Sequence, residues 1–254
     1  MDNHVSFGNI VFGLASAQHS TGFVGCARFS YAGPYHGGYA RYVYLETPSG
    51  RVYDGPFSFS GGSMTARTLF FNSPYDDGII KFGGRYAKGR KTGRWKYQRR
   101  GRGYSRRLTV DYVDGIPEGT ACYIGRGNTY GIGPRSRTVM LTLSMAGGKP
   151  VGPISGRFGD IPFSGQCDAD GYPDGMWVYG STSRKRTSVD YEHWEHGKLL
   201  ESYSLDFSTG HRREKAPSML ALVKDIICEE CIPLVNSVRR NAAVWDGDIK
   251  VKEA

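Results

Sequence analysis

The sequence has no run of about 18 or more apolar residues, so it offers no candidate for a membrane-spanning helix. Charged side chains make up only 22% of the chain. The G-x-S-x-G, H-E-x-x-H, Walker A and dinucleotide-binding fingerprints are also missing. The most recognisable signatures of hydrolases, metalloproteases and nucleotide-binding enzymes are therefore absent from the sequence.

Cysteine is scarce and odd in number, with five residues at irregular positions: Cys26, Cys122, Cys167, Cys228 and Cys231. A disulfide framework in a small secreted domain is denser and even-numbered, so we expect reduced thiols. Cys228-x-x-Cys231 has the spacing of half a zinc site or a redox pair. No second Cys/His pair stands at zinc-finger spacing, and a helical pattern precedes the motif. We therefore expect no metal and no cofactor.

Basic residues are missing from the N-terminus, where no charged side chain lies between Asp2 and Arg28. Ala15-Ser16-Ala17 resembles a signal-peptide cleavage site, but a signal peptide also needs a basic first region and a longer apolar stretch. We expect a short first strand and a cytoplasmic protein. The alternative is a secreted or periplasmic protein in which residues 1–17 are a degenerate or truncated signal peptide.

Glycine and aromatic residues are plentiful, with 36 glycines, 17 tyrosines and an aromatic share of 13%. Turn signals recur roughly every 8–15 residues from Tyr31 to Gly210, which predicts an antiparallel meander of β-hairpins. We divide the chain into a weakly patterned segment (1–30), a repeat β domain (31–210) and a C-terminal helical segment with a tail (211–254).

The C-terminal segment carries a helical pattern. Pro217 can begin a helix, and Pro233 is expected to kink or split it. Apolar residues follow at helical spacing: Met219, Leu222, Val223, Ile226, Ile227, Cys231, Leu234 and Val238. The stripe is too wide for an exposed helix, so we expect this segment to pack on the sheet.

An internal repeat links two stretches about 82 residues apart. The first is Gly83-x5-Gly89-x3-Gly93-Arg94-Trp95-Lys96-Tyr97, and the second is Gly165-x5-Gly171-x3-Gly175-Met176-Trp177-Val178-Tyr179. Each is followed by a Val-Asp-Tyr segment and a glycine turn, Val110-Asp111-Tyr112 with Gly115 and Val189-Asp190-Tyr191 with Gly197. Such self-similarity is typical of a repeat architecture.

The two copies differ in which residues alternate with the aromatics. Residues two apart in a strand share a face, so Arg94 and Lys96 should point away from Trp95 and into water. In the second copy the alternating residues are Met176 and Val178. We therefore expect the second copy to be covered on both faces, with the C-terminal helix as the cover.

The repeat resembles the MORN family, especially the divergent bacterial variety known as toxin–antitoxin-associated MORN-like repeats. That family's pattern is close to Y-x-x-G-x-x-x-G-x-W-x-Y. The matching residues are Tyr86, Gly89, Gly93, Trp95 and Tyr97, then Tyr112, Gly115, Gly119 and Tyr123, then Gly171, Gly175, Trp177 and Tyr179, then Tyr191, Gly197 and Lys198-Leu199-Leu200. The resemblance covers residues 83–125 and 165–205 and implies stacked β-hairpins. It also implies a binding or scaffold role, and membrane association has been proposed for the family.

The strongest electrostatic feature is the segment 78–110, which holds twelve basic residues and no acidic one. The chain as a whole has a net charge of +9. Arginine suits phosphate through its planar fork. We expect one anion-binding surface built from a loop at Gln98–Arg106 and the strands beside it: Arg94, Lys96, Arg99, Arg100, Arg102 and Arg107, next to Tyr104. The alternative is a solvated basic face that binds nothing.

The run Asp190-Tyr191-Glu192-His193-Trp194-Glu195-His196 contains the residue types of a metal or acid/base site. The alternation of a strand places His193 and His196 on opposite faces. We therefore interpret the run as a polar, exposed strand edge.

The leading hypothesis is a non-enzymatic repeat scaffold or binding module that recognises a protein or an anionic surface, either acidic lipid or nucleic acid. The alternative is a hydrolase-like or lyase-like enzyme with its site in a groove of the sheet. The composition and the repeat favour binding over chemistry, because repeat scaffolds are used more often for binding.

Overall fold

A computed structural model describes residues 26–35, 38–62, 79–101, 104–127, 137–180, 187–217 and Val223. These residues form fourteen strands in a single sheet. The strands are β1 (Arg28–Tyr35), β2 (Gly38–Thr47), β3 (Gly50–Gly62), β4 (Ile79–Ala87), β5 (Arg90–Gly101), β6 (Tyr104–Val113), β7 (Ile116–Gly127), β8 (Arg137–Ala146), β9 (Lys149–Phe158), β10 (Ile161–Cys167), β11 (Pro173–Tyr179), β12 (Ser188–Glu195), β13 (Lys198–Asp206) and β14 (Arg212–Glu214).

Each strand pairs antiparallel with its neighbours in sequence, from β1 at one edge to β14 at the other. The predicted antiparallel meander of hairpins is therefore confirmed. The sheet begins at Arg28 and includes Arg212–Glu214, so it extends slightly past both ends of the range 31–210. Among the described residues, no helix has the length and apolar character needed to cross a bilayer.

One face of the sheet carries the core, and we call it the aromatic face. Its centre is a cross-strand row of side chains that runs through β3 to β8: Phe59, Phe82, Tyr97, Leu108, Tyr123 and Leu141. All six are buried. Side chains alternate along each strand, so the opposite side, which we call the open face, carries mostly polar and small residues, with exposed apolar ones at Ile79, Met140 and Met176. This division decides which face each described basic residue of a strand occupies.

Glycines at matching places set the shape of each hairpin. A turn glycine with positive φ is followed four residues later by a second one in Gly89/Gly93, Gly115/Gly119, Gly148/Gly152 and Gly171/Gly175. Positive φ is a conformation that glycine adopts at little cost. The described residues therefore contain four such units, and the one at Gly148/Gly152 is not among the repeat positions matched in the sequence.

Successive turns are also joined to one another. Gly115 donates its N–H to the backbone carbonyl of Lys91 at 2.8 Å, and Gly148 donates to that of Pro117 at 3.0 Å. Gly197 donates to Pro173 at 2.9 Å. These bonds stack the turns at one end of the strands, so each hairpin is held by the one before it.

Trp95 and Trp177 hold equivalent places, as the repeat predicts. Each follows a glycine turn, and each side chain is 0% exposed. The indole N–H of Trp95 donates to the carbonyl of Arg85 at 3.1 Å, and that of Trp177 donates to the carbonyl of Gln166 at 3.1 Å. The two buried rings therefore have the same hydrogen-bond environment.

The glycine that each tryptophan ring covers changes how the two copies of the repeat align. A Cβ added at Gly84 would lie 2.5 Å from the Trp95 ring, and one added at Gly165 would lie 2.1 Å from the Trp177 ring. Both glycines sit where the strand register shifts. The structural partner of Gly165 is therefore Gly84 and not Gly83, because each ring covers the bulged position of its hairpin.

The second copy is not covered on both sides. Met176 is 41% exposed, and Val178 is half-buried. The expected covering of this strand is therefore wrong, because Met176 alternates with the buried Trp177 onto the open face. Most of the predicted helical segment lies outside the described residues. Val223 is helical and buried within the core cluster, and the packing of the rest of that segment stays a prediction.

Candidate functional site

The basic segment 78–110 forms β4, β5 and most of β6, which are interior strands of the sheet. The loop expected at Gln98–Arg106 is instead the paired ends of β5 and β6, where Gly101 lies opposite Tyr104. Residues 102–103, at the tip of the β5–β6 hairpin, lie outside the described residues, and they include Arg102. The cations therefore project from a rigid, hydrogen-bonded scaffold.

Strand alternation divides the predicted anion-binding residues between the two faces. Arg94, Lys96, Arg100 and Arg107 are exposed on the open face. Arg99 and Tyr104 alternate with them and lie, half-buried, on the aromatic face. The expectation of one continuous surface that also includes Arg99 and Tyr104 is therefore corrected, since a strand cannot present consecutive side chains on one side.

Arg94 is already engaged by a carboxylate from the next strand. Its Nε and Nη2 atoms donate to the two carboxylate oxygens of Asp111, each at 2.9 Å. The bidentate contact with Arg94 is the main reason that the pKa of Asp111 is lowered. The sequence showed no acid within 78–110, but the facing strand supplies one at position 111.

Two more basic residues of the segment also have partners within the protein. Arg90 forms an ion pair with Asp114. The Lys91 ammonium lies 4.9 Å from the centre of the Trp95 ring and donates to the Tyr97 hydroxyl at 3.1 Å. Lys91 therefore stabilises the aromatic face through a cation–π contact and is not part of an external binding surface.

Six exposed cations of β4–β7 remain on the open face, and we call them the basic face: Lys81, Arg85, Lys96, Arg100, Arg107 and Arg126. Arg126 belongs to the basic face because it is the register partner of Ser105, which is in turn the register partner of Arg100. Sequence reasoning missed it, although continuing the alternation across the next hairpin would have found it. Within the described part of the chain, no carboxylate forms an ion pair with these six.

The acidic side chains near the basic face make hydrogen bonds and ion pairs within the sheet. In β4–β9 the acids are Asp111 and Glu118. Asp111 binds Arg94, and Glu118 accepts the backbone N–H of Gly147 at 2.8 Å. Asp54 accepts the N–H of Lys88 in the same way at 3.0 Å. Glu118 and Asp54 therefore cap the turn of a neighbouring hairpin, and Asp111 is held by its ion pair with Arg94.

The run Asp190–His196 is not an exposed strand edge, because β12 lies between β11 and β13. Glu192 is only 2% exposed, and it accepts a hydrogen bond of 3.2 Å from the indole N–H of Trp194. The interpretation from sequence is therefore wrong for these two residues. A buried glutamate needs such partners, because an unsatisfied charge in the interior is costly.

Asp168 and His196 form the one histidine–carboxylate pair in the described residues. His196 Nδ1 lies 2.6 Å from Asp168 Oδ2, and the His196 ring packs 4.4 Å from the Tyr172 ring. Burial acts to raise the pKa of Asp168, but hydrogen bonds from the Tyr172 backbone and His196 outweigh it and lower the pKa. The pair fixes the orientation of an exposed imidazole.

Among the described cysteines, Cys122 and Cys167 are free thiols. Burial raises the pKa of Cys167 to about 12, so its thiol stays protonated and unreactive at neutral pH. Cys228 and Cys231 lie outside the described residues. Within the described ranges, no group of three potential metal ligands comes together.

No family model matches the chain, and no curated protein matches it.

Proposed function

We propose that the chain is a non-enzymatic, MORN-like repeat binding module that recognises an acidic lipid surface through its basic face. The observation that carries the proposal is the set of six exposed cations that point the same way from β4–β7. They share this face with Arg94, whose charge is neutralised by Asp111.

The arrangement of these cations favours a broad phosphate-rich surface. They spread over four strands, about 14 Å across at the usual strand spacing, and over about 20 Å along the strands. Five of the strand residues that separate them on this face are small or polar: Gly83, Gln98, Ser105, Thr109 and Cys122. Each exposed Lys or Arg near an anionic leaflet contributes about 1 kcal/mol of attraction.

Nucleic acid is the competing anionic partner. The aromatic residues of β4–β8 lie on the opposite face of the sheet, so they offer no stacking platform beside the cations. The described residues of these strands also present no helix that could enter a groove. Both observations favour the lipid surface.

The test is co-sedimentation with vesicles of neutral lipid alone and of neutral lipid mixed with phosphatidylserine, at low and at physiological salt. We expect binding only to the acidic vesicles and a steep loss as salt rises, because the contacts are electrostatic. Duplex DNA and single-stranded RNA are measured in parallel, and a preference for either would overturn the lipid proposal.

The discriminating variant is Arg100→Glu/Arg107→Glu, which reverses the centre of the basic face. Its matched control is Lys198→Glu/Arg213→Glu, which makes the same change in net charge at exposed positions of β13 and β14. Equal loss of vesicle binding in both variants would mean that only overall charge matters, and the proposed face would be abandoned.

The enzyme hypothesis has one supporting observation, the oriented pair Asp168–His196. An imidazole held by a carboxylate can act as a general base in a hydrolase-like or lyase-like reaction. Hydrolysis of generic ester and phosphodiester substrates that is present in the wild type and lost in His196→Gln would favour this second function.

A further inference from the structure

We propose that Ile79, Ile124 and Met140 enter the outer part of the acyl-chain layer of an acidic bilayer while the basic face contacts its phosphates. This inference rests on the proposed function, because it assigns further residues of the same open face to lipid. It also narrows the partner, since a ligand that offers phosphate alone would satisfy the cations but not the apolar side chains.

Three large apolar side chains stand among the cations of the open face. Ile79 is 53% exposed, Met140 is 38% exposed, and Ile124 is half-buried. Ile79 lies two residues from Lys81 in β4, and Ile124 lies two residues from Arg126 in β7, so each shares a face with a cation of its own strand. Exposed apolar groups rimmed by polar residues are a feature of interaction sites.

The strand register places an apolar strip directly between two arginines. Arg107 of β6 is the register partner of Ile124, which is in turn the partner of Met140. Met140 is the partner of Arg157, which forms an ion pair with Asp160. Directly opposed side chains have Cβ atoms about 4.5–5.5 Å apart. The strip Ile124–Met140 and its flanking guanidinium groups therefore reach a flat surface together.

Ile79 repeats this arrangement at the first strand of the basic face. Its register partner is Arg100, which is exposed on the open face. An apolar side chain thus lies beside a cation at two places, on β4–β5 and on β6–β8. This spacing matches a broad layered surface better than a single small ligand.

The next row of the open face is made of small side chains, so the strip projects above it. The row crosses β6 to β9 and consists of Thr109, Cys122, Thr142 and Ser155. The Cys122 sulfur lies 3.9 Å from the Thr142 hydroxyl oxygen, so these two side chains contact each other. Ile124 and Met140 are longer than any member of this row and are therefore the first apolar groups that an approaching surface would meet.

The order of the groups favours a bilayer over a protein partner. A bilayer presents anionic headgroups above an apolar layer, and cations that flank apolar side chains complement both parts. The described carboxylates of β4–β8, Asp111 and Glu118, are engaged by Arg94 and by the backbone of Gly147. Within this part of the sheet, the groups beside the apolar strip therefore attract phosphate.

The twist of the sheet limits which apolar side chains can share one membrane plane. Adjacent strands turn by about 20–25° relative to each other, so β11, three strands beyond β8, is turned by roughly 60–75°. Met176 on β11 is 41% exposed, and Leu200 on β13 is 47% exposed. Both should face away from a bilayer that contacts β4–β8, and they provide matched controls.

The experiment measures binding of the full chain to vesicles of phosphatidylcholine and phosphatidylserine, and the pressure rise that the chain causes in a monolayer of the same lipids. Ile79→Thr/Met140→Thr keeps residues that are tolerated in strands but shortens both apolar side chains. We expect about tenfold weaker vesicle binding at physiological salt and a loss of the pressure rise seen with wild type. Met176→Thr/Leu200→Thr should behave as wild type in both measurements.

The outcomes separate insertion from adsorption by charge alone. Wild-type binding to acidic vesicles without a pressure rise, and with equal affinity in both double variants, would overturn the insertion and leave the basic face in place. If the wild type does not bind acidic vesicles at all, both proposals fall. Equal losses in the two double variants would also overturn the strip, since any exposed apolar surface would then serve.

Two further measurements guard the conclusion. Met140→Thr alone, with an expected loss of about threefold, replaces the double variant if the latter has a lowered Tm. Sedimentation equilibrium tests whether the strip joins two copies of the chain. Self-association of the wild type that disappears only in Ile79→Thr/Met140→Thr would assign the strip to that contact and overturn its role in lipid binding.

Discussion

Asp111 neutralises Arg94 on the open face through two hydrogen bonds of 2.9 Å across β5 and β6. The pair sits at one end of the basic face, within two residues of Lys96 along the strand. One carboxylate therefore limits how far the positive surface extends.

Removing that carboxylate should strengthen binding to acidic vesicles. Asp111→Asn frees Arg94 and adds one positive charge, so we expect tighter binding and a stronger dependence on salt. The measurement is co-sedimentation over a series of salt concentrations. Glu201→Gln makes the same change in charge at the ion pair with Arg212, away from this face, and is the control. Unchanged binding in Asp111→Asn would count against the basic face.

The same pair predicts a pH dependence of stability. Arg94 lowers the pKa of Asp111 in the folded state below its unfolded value of about 3.9. The stabilisation is therefore fully present above the unfolded pKa and is lost as pH falls through the folded pKa. Arg94→Gln should unfold with a smaller loss of Tm between neutral pH and the acid range. Identical acid profiles for wild type and variant would contradict this assignment.

Gly165 should not tolerate a methyl group. Gly165→Ala would place Cβ 2.1 Å from the Trp177 ring, and we expect it to lower the free energy of unfolding by about 1–3 kcal/mol or more. Ser164→Thr adds one methyl group at the neighbouring exposed position and should stay within about 0.5 kcal/mol of wild type. Denaturant unfolding measures both, and similar losses would show that the ring does not cover Gly165.

The two tryptophans should contribute about equally. Both side chains are 0% exposed and both donate a hydrogen bond to a backbone carbonyl, so each Trp→Ala change should cost about 3–5 kcal/mol. The apolar residues next to Trp177 in the sequence would favour a larger loss there, but the structure gives both rings the same burial. A loss at Trp177 several kcal/mol larger than at Trp95 in denaturant melts would contradict the equivalence of the two sites.

Glu192 should be needed for stability because of its contact with Trp194. Glu192→Ala removes the acceptor of a buried indole N–H, and we expect a loss of at least about 1–3 kcal/mol. Glu192→Gln keeps an acceptor and should lose less. Glu195→Ala, at an exposed position of the same strand, is the control. No difference between Glu192→Ala and Glu195→Ala in thermal melts would show that the buried contact contributes nothing.

The fold class and the repeat follow from the sequence alone. Glycines four residues apart require positive φ at a turn and at a bulge, and aromatics two residues apart must share a face. These are local constraints, so the hairpins, the meander and the equivalence of Trp95 with Trp177 could be predicted. The unit at Gly148/Gly152 was missed because it has no aromatic residue at the matching places, where Ile154 and Gly156 stand instead.

Which charges act together depends on the pairing of strands in the folded sheet. Arg94 and Arg90 are neutralised by Asp111 and Asp114, which lie beyond the basic segment in sequence but opposite it in the sheet. The bulges shift the register by one residue, so they assign Gly84 and not Gly83 to the space beneath Trp95. Pairing across strands brings together residues that are far apart in the chain, and a run of charge in the sequence carries no information about its partner strand. For the same reason, Arg99 and Arg100 are neighbours in sequence but belong to opposite faces of the protein.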